Sequence, residues 1–156
     1  MIRPIWIYVS RITTESSAGM TSFGNPLVWW PGIVVTGVAI ATPVWEKWGK
    51  KTAAPDSYIP IFLLIAYTAQ FLPWVFVGRL TFIYHYFPSV PFVVLLITWF
   101  FRRFVKKPAI VYVYAGAVLV LFMFFYPVLS GWPMNPQFVR TFMAWLPGWV
   151  FIALLM

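Results

Sequence analysis

The sequence predicts an all-α integral membrane protein with four transmembrane helices and a C-terminal interfacial segment. Three observations lead there. Only 9% of the 156 residues are charged, against about 25% in soluble domains, while 62% are hydrophobic and 22% aromatic, so a water-facing surface cannot be built from this chain. The apolar runs are continuous rather than alternating, and crossing a hydrocarbon core of about 30 Å takes about 20 such residues. Continuous runs speak for helices and against a β-barrel, because backbone groups in lipid must be satisfied within the segment. The basic residues, finally, gather in short clusters between those runs.

The elements follow in order. Residues 1–25 read as the end of an outer loop at the membrane interface. Their opening, "MIRPIWIYVSRITTESSAGM", has neither the continuous apolar core nor the small-residue cleavage site of a secretory signal. The four-helix region covers residues 26–130, with spans at about 27–45, 58–77, 82–101 and 109–127. Asn25 reads as the N-cap of the first span and Pro26 as part of its first turn. Gly32 and Gly37 read as places where a neighbouring helix comes close. The third span begins somewhere between Phe82 and Phe87, with Pro88 and Pro91 bending or starting it. Residues 131–156 read as an outer-side interfacial tail. Their last apolar run, Phe142 to Met156, is interrupted by Pro147-Gly148, and Trp145 and Trp149 suit the headgroup boundary. A truncated fifth helix is the alternative.

Orientation comes from charge. "EKWGKK" carries Lys47, Lys50 and Lys51, and "RRFVKK" carries Arg102, Arg103, Lys106 and Lys107. Four crossings put both clusters on one side, facing Arg3, Arg11, Arg79 and Arg140 on the other. The positive-inside rule makes the clustered side cytoplasmic. Both termini and the Arg79 segment then face outward from a multi-pass protein of the plasma membrane. The net charge of +8 reflects this clustering and does not form a nucleic-acid-binding face.

Chemistry is sparse. The acids are Glu15, Glu46 and Asp56, and no two of them are expected to meet for acid–base work on either face: Glu46 and Asp56 lie on the cytoplasmic side and Glu15 stands alone outside. One His and no Cys exclude the usual zinc sets, and no cofactor is implied. The segment "FVGRLTFIYHYFPSVPF" is the best candidate for ligand contact. If it is helical from Arg79, Phe82, Ile83 and Tyr86 share the Arg79 face and His85 lies about 120° away. A guanidinium at the membrane boundary grips phosphate through two parallel hydrogen bonds. The plainer readings stand beside this: Arg79 snorkels to headgroups, and His85 is a hydrogen-bonded packing residue.

Two patterns, Asn25-Pro26-x-x-Trp29-Trp30 and Arg79-x-x-Phe82-x-Tyr84-His85-Tyr86-x-Pro88, resemble the C-terminal four-helix region of the protein O-mannosyltransferases. The tail "YPVLSGWP…WLPGWVF" looks like the end of the bacterial members, so the resemblance covers nearly the whole chain. It implies a glycosyltransferase that moves mannose from polyprenyl-phosphate-mannose to Ser or Thr hydroxyls of acceptor proteins, on the outer face. It also implies that an upstream Asp-Glu pair, in an N-terminal catalytic half missing here, supplies the acidic function, and that this chain alone is inactive. Arg79, Tyr84, His85 and Tyr86 then become the donor-binding candidates, with Asn25, Pro26, Trp29, Trp30 and Pro88 as structural motif residues. The competing class is a non-catalytic four-helix scaffold or assembly subunit. A transporter is disfavoured, because Gln70 is the most polar side chain deep in a span.

Overall fold

The computed structural model describes residues 5–11, 17–48, 57–76, 86–146 and 149. Four helices in it are long and apolar enough to cross a membrane. They are α1 (Pro26–Trp48), α2 (Tyr58–Val75), α3 (Val90–Phe104, preceded by a 3-10 turn at Phe87–Ser89) and α4 (Pro108–Ser130). At about 1.5 Å per residue the 23-residue α1 and α4 are roughly 34 Å long, enough for a hydrocarbon core of about 30 Å. Ile33, Val34, Phe62, Ile65, Val113 and Val120 each expose more than half of their surface. Such a chain is an all-α integral membrane protein, turned apolar side out.

Lipid offers no partner to a stray hydroxyl, and the helices deal with this locally. Thr36, Thr42 and Thr98 each donate to the carbonyl four residues back, at 2.7, 2.7 and 2.9 Å. Pro31 and Pro43 in α1, Pro73 in α2 and Pro127 in α4 all lie inside helices, a placement that membrane helices tolerate. Beyond Pro127 the fourth helix continues to Ser130 and stops at Gly131, whose φ of 77° is left-handed and suits glycine. The Trp132 N–H then returns to the Pro127 carbonyl at 3.0 Å, the closing bond of a Schellman cap.

The third span was expected to begin somewhere between Phe82 and Phe87. Phe82 to His85 lie outside the described residues, and helical backbone begins at Phe87. Pro88 and Pro91 occupy the first turns of the 3-10 and α segments, where a missing N–H costs nothing. Residues 1–25, read as the end of a loop, contain an antiparallel hairpin of β1 (Ile5–Arg11) and β2 (Ser17–Ser22). Trp6 stands opposite Thr21 and Tyr8 opposite Met20, with a bulge between.

The chain divides into two compact units, 28–114 and 1–27 with 115–156. In the first, Val35 and Ala39 of α1, Leu63 of α2 and Val93, Leu96, Ile97 and Trp99 of α3 form the core. In the second, Phe125 and Val128 of α4 pack with Val139, Met143 and Trp149. There Asn135 caps a short helical turn at Pro136–Phe138 by accepting from Gln137 N–H at 2.8 Å, and a π-helical turn at Val139–Met143 follows.

Within the first unit α1 and α3 approach at Gly32. A Cβ there would lie 2.5 Å from Val93 Cγ1, whereas Gly37 has nothing within 4 Å of its position. The reading of both glycines as close-approach sites therefore holds for Gly32 and not, among the described residues, for Gly37. Val93 is buried and β-branched, so it cannot swing aside. Gly32→Ala is expected to destabilise the chain by about 1–3 kcal/mol. Gly37→Ala is expected to be neutral or stabilising by up to about 1 kcal/mol. Denaturant unfolding in detergent micelles measures both.

Candidate functional site

Of the four donor-binding candidates, Arg79, Tyr84 and His85 lie outside the described residues. Tyr86 is described, and its surroundings define the site. It precedes the span that begins at Phe87, as the N-cap of the 3-10 turn, with its carbonyl accepting from Ser89 N–H at 2.9 Å. Its ring lies 4.8 Å from that of Trp29, in the first turn of α1. It meets Phe71 of α2 edge-on at 5.5 Å, and Phe71 in turn stacks on Tyr67 at 5.7 Å. The Tyr67 and Tyr86 hydroxyls share a hydrogen bond of 3.1 Å. Three helical elements thus meet at one aromatic cluster. Tyr67 and Phe71 reach it together because residues four apart share a helix face.

Burial raises the Tyr86 pKa above its ordinary value, and the hydrogen bond to Tyr67 and that residue's charge add to it. Tyr86 therefore stays a neutral hydroxyl that donates and accepts hydrogen bonds. The flat ring faces around it suit contact with an apolar chain or the face of a sugar.

Asn25, the other motif head, does two things. Its Oδ1 accepts from Leu27 N–H at 3.0 Å at the start of α1, and its Nδ2 donates to the Val118 carbonyl of α4 at 2.8 Å. Pro26 is the buried first residue of α1, Trp30 is exposed beside the buried Trp29, and Pro88 is exposed in the 3-10 turn.

At the opposite end of the same unit Glu46 is fully engaged. Its Oε1 pairs with Arg103 Nη2, and its Oε2 accepts from Ser57 Oγ at 2.6 Å. The ends of α1 and α3 and the residue before α2 are joined there. Glu15 and Asp56, the remaining acids, lie outside the described residues. Sequence reasoning found no role for Glu46. Its partner stands 57 positions away, a distance that no local pattern reveals.

The hydroxyl pair makes a direct prediction. Tyr67→Phe and Tyr86→Phe should each cost about 0.5–1.5 kcal/mol of stability. In a double-mutant cycle, the second substitution should cost little once the first is made. Additive losses in the unfolding free energy would show that the hydroxyls act separately.

Similarity to known proteins extends over most of the chain. Residues 6–149 match the family described as the C-terminal four TMM region of protein-O-mannosyltransferase. Dolichyl-phosphate-mannose–protein mannosyltransferase 3 of Saccharomyces cerevisiae is 21% identical over 87% of this chain and 21% of its own length. Polyprenol-phosphate-mannose–protein mannosyltransferase of Mycolicibacterium smegmatis is 27% identical over 81% of this chain and 25% of its own length. The protein of the same name from Corynebacterium glutamicum is 24% identical over 94% of this chain and 30% of its own length. The chain thus spans less than a third of the length of these relatives. No solved structure matches it. With four apolar helices and a family match running from the hairpin to Trp149, the chain belongs to the protein O-mannosyltransferases, as their C-terminal four-transmembrane region.

Proposed function

We propose that this region serves a protein O-mannosyltransferase by holding its lipid-phosphate mannose donor, while the acid catalyst comes from residues outside it. The names of the relatives specify dolichyl-phosphate-mannose or polyprenol-phosphate-mannose as donor and protein as acceptor. In this reading mannose passes to a Ser or Thr hydroxyl at the outer face of the plasma membrane, and both termini face that side. The seven basic residues between the spans support the orientation.

One observation carries the donor role. Tyr86 is tied to Trp29, Tyr67 and Phe71, so the Arg79–His85 stretch leads into a fixed point at the end of the unit opposite the Glu46–Arg103 pair. Arg79 takes the donor phosphate, with Tyr84, His85 and Tyr86 shaping the space around the sugar and the first isoprene units. Negative charge grows on the phosphate as its bond to the anomeric carbon breaks. A pre-placed guanidinium counters that charge. Glu46 belongs to that other junction, with Arg103 and Ser57 on its two oxygens.

A non-catalytic scaffold is the second reading, and the same Glu46 junction supports it, since that junction ties the ends of α1 and α3 to the residue before α2. Arg79→Lys in the complete enzyme separates the two. It keeps a positive charge and removes the planar fork, so the donor reading expects affinity for polyprenyl-phosphate-mannose to fall about tenfold, or about 1.4 kcal/mol. Unchanged donor affinity with normal protein levels would establish the scaffold.

A further inference from the structure

Between α2 and α3, at the end where Glu46 meets Arg103, lies a cavity of about 200 Å³. Ile59 and Leu63 of α2 form one wall, and Leu95, Thr98, Trp99 and Arg102 of α3 form the other. The α3 residues follow helical spacing, so they make one continuous stripe that ends in a guanidinium. If a methylene is taken as about the size of a water, whose share of liquid volume is about 30 Å³, the slot holds roughly six.

The two adjacent arginines at its mouth differ. Arg103 is turned to Glu46 and neutralised there. Arg102 is exposed and makes no hydrogen bond or ion pair among the described residues. The exposed Lys106 and Lys107 follow it within one turn's length of chain, so the field at the mouth is strongly positive. Trp99, only 4% exposed, also lines the slot, and its indole N–H has no acceptor among the described residues. An apolar groove that ends at an unpaired guanidinium under basic side chains has the chemistry of one occupant class. Basic pockets between transmembrane helices take anionic lipid headgroups.

We propose that this slot binds an anionic phospholipid, with its phosphate on Arg102 and an acyl segment along Ile59, Leu63 and Leu95. The site lies at the other end of α3 from Tyr86 and is independent of the donor reading. An uncharged wall alone would accept any lipid. The guanidinium makes the site selective, because a charge-assisted fork discriminates an exposed anionic phosphate from a zwitterionic headgroup that carries its own cation.

The test reconstitutes the full chain in nanodiscs of mixed phosphatidylglycerol and phosphatidylcholine and counts retained lipids by native mass spectrometry. Wild type is expected to retain phosphatidylglycerol in preference to phosphatidylcholine. Arg102→Ala should weaken that retention about tenfold, whereas Lys107→Ala, an equal loss of charge outside the slot, should change it less than about twofold. Thr98→Trp, which fills the slot from an exposed position, should abolish it with the helical circular dichroism unchanged. Equal retention of the two lipids would overturn the proposal. So would equal losses for Arg102→Ala and Lys107→Ala, which would reduce the effect to diffuse attraction. Full retention in Thr98→Trp would overturn it as well.

Discussion

The hydrogen bond between the Tyr67 and Tyr86 hydroxyls sits where α1, α2 and the start of α3 meet in aromatic contact. Much depends on it, because helices in lipid gain little from the hydrophobic effect when they pair: the solvent is as apolar as their side chains. Association must come from close packing and from directional contacts. This unit uses both at once. Gly32 lets Val93 of α3 approach α1, and the hydroxyl pair fixes the register of α2 against the entry to α3. The rings around the pair add edge-to-face and stacked contacts, which are directional in the same way.

The other end of the unit is held by charge instead. Glu46, the last acid before the first basic cluster, accepts from both Arg103 and Ser57. A carboxylate at such a boundary is costly unless each oxygen has a partner, and here each does. The pairing has a second effect. It leaves Arg102, the adjacent guanidinium, on the open side of α3. One acid among several cations therefore engages Arg103 and leaves Arg102 at the cavity between α2 and α3. The aromatic junction and the charged junction thus lie at opposite ends of α3 and give the two ends of the unit different chemistry.

The fold was legible in the sequence because the membrane constraint is blunt: long uncharged runs can only be helices. The hairpin does not stand out in the sequence, although Ile5, Ile7 and Val9 alternate in the period of a strand. The Asn25-Pro26 opening was readable from residue type alone, but the reach of Asn25 to Val118, 93 positions away, was not. The same holds for the site. Tyr86 stood out in its run of aromatics, while its partners Trp29, Tyr67 and Phe71 come from other helices, and only the packed structure names them.

The functional account requires that the Arg79 stretch and the basic clusters lie on opposite faces of the membrane, with Arg79 outward. These 156 residues contain no cysteine, so a single cysteine placed among them is read against the same protein without the substitution. Thr81→Cys and Lys107→Cys, each in the full-length protein in intact cells, can be treated with a membrane-impermeant maleimide. The expected result is labelling of Thr81→Cys in intact cells and of Lys107→Cys only after permeabilisation. The reverse pattern, or labelling of both from one side, would contradict the account.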